Sequence, residues 1–396
     1  MIDKIGKACT GCYACVNACP KSCIHMKTDR EGFWYPRFDP DQCIRCGRCV
    51  NACPVLSKIP NSKTEKDIRV YAVTHQDESI RMHSSSGGAF TALAETVLEQ
   101  GGVVFGAAFT KNFDVHHIYV ETTEDLAKLR GSKYVQSKIG NTFKQAEKFL
   151  KEGRPVYFSG TACQTSGLIG YLGRDYDNLY TQDLICHGVP SPMVWRKYLE
   201  YHQTLERSGI KRIFLRDKAH GWHNWHVAID FNNGTHYAQS QFQDKMIVSF
   251  LRGKCSRPCC YDCRFKQKCR TADFTLADYW GIQEIAPELD DDKGISSCYV
   301  NSPKAQKLFD IARTRLEVTE LDLEQSVAGN MAMIESERLP KDREVYLREM
   351  RKRPFEMVYG KYIDEMSPGT QLRWTLRRAL GNKRYDFIRT LGRKRK

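Results

Sequence analysis

The chain has 396 residues, enough for two or three domains, and its 41% hydrophobic content suffices to bury a core. No run approaches the roughly 20 apolar residues of a membrane-spanning helix, and the opening Met1-Ile2-Asp3-Lys4 lacks a leader pattern, so a cytoplasmic location is expected. The formal charge of +14 is concentrated in residues 371–396, where ten Lys or Arg face the single acid Asp386, which leaves +5 for residues 1–370 and argues against a general nucleic-acid binder.

Residues 1–56 form the first unit, which holds nine of the seventeen cysteines. The odd total and the spacing exclude a disulfide framework. Cys9, Cys12, Cys15 and Cys19-Pro20 follow C-x2-C-x2-C-x3-C-P, and Cys43, Cys46, Cys49 and Cys53-Pro54 repeat it. This is the run of two-cluster bacterial ferredoxins, in which the fourth cysteine of each motif ligates the other 4Fe–4S cluster. One cluster is therefore expected on Cys9, Cys12, Cys15 and Cys53, the other on Cys43, Cys46, Cys49 and Cys19. Three thiolates on a tight loop take three corners of a cube, and the fourth must come from elsewhere. Zinc prefers paired ligands, not two such runs. Cys23 falls outside the pattern and reads as a small buried apolar residue. Each oxidised, four-thiolate cluster removes about two charges, which brings the body near neutrality.

A polar linker at 57–67 precedes alternating strand and helix signals. Strands are expected over 68–74, 103–109, 156–159 and 179–185, and helices over 89–100, 141–150, 165–172 and 193–203. Between the first strand and helix, Ser85-Ser86-Gly87-Gly88 suits an anion or phosphate, or simply caps a helix. Cys163 and Cys186 follow successive strands, where ligands sit in open α/β sheets, although a lone cysteine is commonly buried as a small hydrophobe. Strand-like pieces at 213–216 and 226–231 lead to Cys255, Cys259, Cys260, Cys263 and Cys269. This cluster fits either a local zinc site or, through Cys260 and Cys263 with Cys163 and Cys186, a third iron–sulfur cluster. Beyond Pro303 the chain reads as mainly helical and charged.

Several motifs occur in a fixed order: Ser85-Ser86-Gly87-Gly88, Gly131-Ser132-Lys133-Tyr134-Val135-Gln136-Ser137, Gly160-Thr161-Ala162-Cys163-Gln164, and Cys186-His187-Gly188-Val189-Pro190. Cys260-Tyr261-Asp262-Cys263 and Ala277-Asp278-Tyr279-Trp280-Gly281 follow. As a set, over roughly residues 5–330, they resemble the coenzyme F420 hydrogenase/dehydrogenase beta subunit family. The family usually has Pro where Ala162 stands, a departure that leaves Cys163 in place. The resemblance implies a mixed α+β or α/β architecture: a ferredoxin module at 1–56, a flavin-binding domain at 68–305 and a helical extension with a basic tail at 306–396. It implies FAD, with Ser85, Ser86, Gly87, Gly88, Lys133, Tyr134 and Ser137 as binding residues. It also favours Cys163, Cys186, Cys260 and Cys263 as ligands of a third 4Fe–4S cluster.

The activity expected is an oxidoreductase passing electrons between clusters and flavin, and on to an organic acceptor. A ferredoxin-linked reductase and a coenzyme F420 oxidoreductase both fit. The alternative is an electron-transfer subunit that serves a partner enzyme and has no substrate of its own. Expected partners are ferredoxin or a similar carrier and an organic small molecule, not nucleic acid; homo-oligomer formation stays open. His187, His220, His223 and His226 are candidate acids, each with a structural or surface role as the commoner reading. Trp222 and Trp225 could stack on a ring or pack in the core. In the tail, Trp374, Leu376, Leu380, Phe387, Ile388 and Leu391 alternate with the positive charges, which suits an amphipathic helix on an anionic membrane or a solvated tail.

Overall fold

The computed structural model describes residues 2–61 and 63–363, together with 369, 372, 373, 375 and 376. The basic tail read as an amphipathic helix therefore lies almost wholly outside the described residues. Among the described residues no helix is long and apolar enough to cross a membrane.

The strands in chain order are β1 (Ile24–Thr28), β2 (Trp34–Phe38), β3 (Arg69–His75), β4 (Val103–Phe109), β5 (Val115–Val120), β6 (Val156–Ser159), β7 (Leu179–Leu184), β8 (Ile210–Asp217), β9 (His226–Phe231), β10 (His236–Ser240), β11 (Phe274–Asp278), β12 (Ser296–Val300) and β13 (Leu316–Leu321). Eight form one mixed sheet in the order β13-β3-β12-β11-β7-β6-β4-β5. Its centre, β11-β7-β6-β4, is parallel, and antiparallel strands flank it on both sides. β1 and β2 make a hairpin in the ferredoxin module, and β8, β9 and β10 make a second small sheet.

Of the central strands, β4 and β6 are largely apolar on both faces, as suits parallel strands covered on both sides, while β7 and β11 bury polar Thr181, Gln182, Asp183 and Thr275. In β4, Val104 joins a core with the helices Ala89–Glu99 and Pro303–Ala312. Val103 and Phe105 face the other way, into a core with Phe143, Phe158 and Leu168. That second core also takes Cys12, Tyr13, Ala14, Ala18 and Ala52, so the ferredoxin module covers this side of the sheet. Arg343, a buried residue of the C-terminal segment, pairs with Glu31 of the β1–β2 turn through both carboxylate oxygens, at 3.1 and 2.7 Å.

The body extends past residue 305. β13 lies in the segment expected to be helical, yet it pairs antiparallel with β3 from Leu316↔His75 to Leu321↔Val70. The helices Arg343–Lys352 and Phe355–Tyr362 pack on Pro192–Glu206 over a core with the small sheet. Charged positions at Glu317 and Glu320 hide this edge strand from an apolar-pattern reading, because only one of its faces needs to be apolar.

Candidate functional site

The carboxyl ends of β4, β6, β7 and β11 open onto a cavity of about 560 Å³. Small-molecule sites usually span about 300–1,000 Å³. Ser85, Ser86 and Gly88, then Lys133, Tyr134 and Ser137, then Cys163, Cys186, His187, Asp278 and Trp280 all line it. Motifs spread over about two hundred residues thus meet at one place.

Local sequence positions these groups. Thr161 and Gln164 form a capping box, with the Thr161 N–H donating to Gln164 Oε1 at 3.0 Å. The helix Ala162–Leu172 therefore starts three residues earlier than periodicity suggests, and Cys163 falls in its first turn. Gly88 caps the helix Ala89–Glu99 with φ +94°, and no side chain bonds that end; Ala89 and Phe90 line the cavity. Gly87 differs from the expectation: it does not line the cavity. It sits between β3 and β12, where a Cβ would meet Val73 O at 2.1 Å, and its N–H donates to Ser296 Oγ at 2.9 Å. Its N–H is thus committed to the protein. The loop hydroxyls are also engaged, Ser85 with Ser132 at 2.8 Å and Ser86 with Ser296 at 2.7 Å.

Lys133 differs too. Its stem lines the cavity, but its ammonium faces the carbonyls of Lys128, Leu129, Arg130 and Gly131 at 2.9–3.2 Å. Three N–H donors shared among four acceptors leave none for a phosphate, so the group ties its own loop together. Burial pulls its pKa down to about 7, against the carbonyl dipoles that favour the charge.

Sequence reasoning missed Arg216. This β8 side chain is buried, donates to both oxygens of Asp278 at 3.1 and 2.5 Å and to Tyr134 OH at 3.2 Å, and lies 4.6 Å over the Trp225 ring. Burial opposes its charge, but Asp278 and Tyr134 outweigh that and hold its pKa above the ordinary value. Arg216 Nε and Trp225 Nε1 are buried on the cavity wall without a hydrogen-bond partner among the described residues. Trp222 instead stacks on Trp280 at 4.6 Å and donates to Asp278 at 2.9 Å.

Of the four candidate histidines, His187 alone lines the cavity; it lies 3.6 Å from the buried Glu337. His223 is bound to Asp290 at 2.8 Å, and the His220 and His226 rings meet at 4.3 Å in a tilted pair outside the cavity lining. His117, which no motif marked, does line it. Its ring bonds Ser137 Oγ at 2.6 Å and Ser159 O at 3.0 Å, and burial lowers its pKa to about 4. A neutral ring that accepts from Ser137 and donates to the Ser159 carbonyl satisfies both contacts.

Most of the cysteines fall into three neighbour sets, and none of the seventeen forms a disulfide. Cys53 lies close enough to act on Cys9, Cys12 and Cys15. Cys19 and Cys43 act on Cys49, while Cys46 is exposed. Cys23 is buried and its Sγ is 3.3 Å from that of Cys19. In the third set Cys163 neighbours Cys186 and Cys263, and Cys186 neighbours Cys260 and Cys263. Cys163 also neighbours Cys12, whose Sγ lies 3.0 Å from where a Cβ on Gly167 would stand. Cys255 and Cys298 are core residues, and Cys269 packs at the edge of another core. Burial pushes the Cys12 and Cys186 thiols up to about 12 and that of Cys163 well above its ordinary value. Ligation requires thiolates, so iron binding must release these protons.

Residues 153–325 match the family described as the C terminus of the coenzyme F420 hydrogenase/dehydrogenase beta subunit, and residues 70–144 match the corresponding N-terminal family. Two 4Fe–4S dicluster families match residues 8–56 and 35–86. A chain in a xenon-derivatised structure of the F420-reducing NiFe hydrogenase complex from Methanosarcina barkeri is similar at 18% identity and a TM-score of 0.46, covering 77% of this chain and 93% of that one. No curated protein matches. With both halves of its body and its N-terminal module matched, the chain belongs to the coenzyme F420 hydrogenase/dehydrogenase beta subunit family, an oxidoreductase family, and carries an N-terminal 4Fe–4S dicluster domain.

Proposed function

We propose that the chain is an iron–sulfur flavoprotein oxidoreductase. FAD would occupy the cavity, and Cys163, Cys186, Cys260 and Cys263 would ligate a third 4Fe–4S cluster beyond the two of the dicluster domain. Within that domain the clusters would be crossed, Cys9, Cys12 and Cys15 with Cys53, and Cys43, Cys46 and Cys49 with Cys19, a reading supported by the proximity of Cys53 to the first three and of Cys19 and Cys43 to Cys49.

One observation carries this reading: the thiol sets form a continuous series that ends on the cavity wall. The exposed Cys46 begins it, Cys12 neighbours Cys163, and Cys163 and Cys186 themselves line the cavity. The lining suits a flavin, being mainly apolar and aromatic, with Phe250, Trp225 and Trp280, and with a few fixed polar groups. Arg216 Nε and Trp225 Nε1 are free to donate to ring oxygens or nitrogens. The first turn of Ala89–Glu99 offers backbone N–H groups to a phosphate. Asp278 and Tyr134 hold Arg216 in place, and the stacked Trp222 holds Trp280. Bound flavin would supply the exchange between single-electron carriers and two-electron chemistry on an organic acceptor. That acceptor is either the substrate of a ferredoxin-linked reductase or the deazaflavin coenzyme F420. A ferredoxin-like carrier would dock at the exposed Cys46 loop, beside Ile44 at 57% exposure.

Iron and flavin content after anaerobic reconstitution tests the proposal. About twelve irons and one flavin per chain are expected. A folded chain that takes up no added FAD would overturn the flavoprotein reading. About eight irons with one flavin would remove the third cluster alone.

A further inference from the structure

Among the described residues four arginines are buried: Arg216, Arg257, Arg270 and Arg343. Three pair with carboxylates: Arg216 with Asp278, Arg270 with Asp183 and Arg343 with Glu31. Arg257, at 1% exposure, has no carboxylate within ion-pair distance among the described residues. A guanidinium cannot shed its proton at physiological pH, and a buried cation without a counter-charge is strongly unfavourable. The oxygens it bonds are all neutral: Nε donates to Cys9 O at 2.6 Å, Nη1 to Gln136 Oε1 at 3.0 Å and Nη2 to Trp34 O at 2.8 Å; its guanidinium also bonds the Cys9 side chain. The rings of Tyr35 and Phe33 flank it at 4.3 and 5.3 Å. The groups that act on it electrostatically are Cys9, Cys259, Tyr35 and Cys260.

The missing counter-charge is therefore on sulfur. Cys9 belongs to the buried set of the dicluster domain, and a four-thiolate cluster carries net negative charge in both redox states. We propose that Arg257 is the fixed counter-ion of the inner ferredoxin cluster, the one on Cys9, Cys12, Cys15 and Cys53, and raises its reduction potential above that of the outer cluster. Reduction adds one negative charge to the cluster, and a cation held nearby in a medium of low dielectric constant stabilises the added charge. One electron leaves the outer cluster, which is oxidised, and reduces the inner one; no bond forms or breaks. On the outer loop the cations Arg45 and Arg48 are exposed, and solvent screens them. Arg257 thus biases electrons inward, toward Cys163 and the cavity. Gln136, which fixes its orientation, lines that cavity.

This inference rests on Cys9 being a ligand of the inner cluster, and iron content tests that separately. The test is a redox titration of the reconstituted full-length chain followed by electron paramagnetic resonance, with Arg257→Gln, Arg257→Lys and Arg45→Gln compared with the parent. At full iron content, Arg257→Gln is expected to lower the potential of one dicluster signal and leave the other unchanged. Arg45→Gln should move neither. Arg257→Lys keeps the charge but not the forked hydrogen bonds, and should stay near the parent. Unmoved potentials in iron-replete Arg257→Gln would overturn the proposal. If that variant does not load iron, Arg257→Lys decides: a potential near the parent supports the counter-ion, and a fall at full iron content overturns it. A parent chain holding fewer than about eight irons would instead defeat the ligand reading beneath it.

Discussion

The two cysteine loops of the ferredoxin module share one spacing and little else. The first, from Cys9 to Cys19, is buried against the body: Cys9, Cys12 and Cys15 are each under 9% exposed, and Arg257, Gln136 and Gly167 press on them. The second, from Cys43 to Cys53, faces outward around Cys46 and Ile44, and only Cys53 turns back into the buried set. Spacing specifies that a cluster forms. Docking specifies what surrounds it, and hence its solvent access, its potential and its place in an electron path.

The difference is open to direct attack. The largest effect is expected from comparing Cys12→Ser with Cys46→Ser. Each should lose about four irons per chain, read by iron analysis. Cys12→Ser should in addition lower the unfolding temperature by roughly 10 °C, because its cluster sits in a core shared by both modules. Equal melting temperatures in the two variants would refute the asymmetry.

A smaller contrast comes from two glycines with nearly the same backbone. Gly11 has φ +71° and Gly47 φ +74°. A Cβ on Gly11 would meet Gln136 Nε2 at 2.4 Å, whereas nothing lies within 4 Å of one on Gly47. Both alanine substitutions incur about 1 kcal/mol of left-handed strain. Gly11→Ala should add about 1–3 kcal/mol of overpacking. Denaturant unfolding of the two variants measures the gap, and its absence would mean that Gln136 moves aside freely.

The smallest effect concerns the body's side of the same contact. His117 holds Ser137, next to Gln136, and its folded pKa of about 4 lies below the ordinary histidine value. Between those two values the unfolded chain binds a proton that the native chain refuses. Stability should then fall by about 1 kcal/mol for each pH unit of acidification in that window and level off below about pH 4. His117→Gln should flatten this part of the profile, as followed by melting temperature between about pH 6.5 and 4.5. An unchanged slope would show that other groups dominate acid lability.

Much of the local structure was readable in advance. The apolar run of β4 is encoded within a few residues, so a linear reading finds it, whereas periodicity alone places the helices at 165–172 and 193–203 and passes over the Thr161–Gln164 capping box and the Ser191-Pro192 start, which are just as local. β5, β12 and β13 escaped because their partners are chosen by sheet topology and their own patterns are short. Lys133 and Gly87 carried the right motif and the wrong inferred contact. Motif membership brings a residue to the site, but the neighbouring carbonyls and strands decide which atoms face it.

Read as a string of residues, the chain already specifies the dicluster domain, the order of the motifs and the family, because ligand spacing on a tight loop is a local constraint. Packing in three dimensions settles the rest: which cluster loop is buried, that Arg216 and Asp278 meet across 62 residues, and that Arg257 reaches Cys9 across 248. Such contacts are set by how sheet, hairpin and helices pack. The placement of a lone buried cation is a global solution to burying charge, not a pattern along the chain.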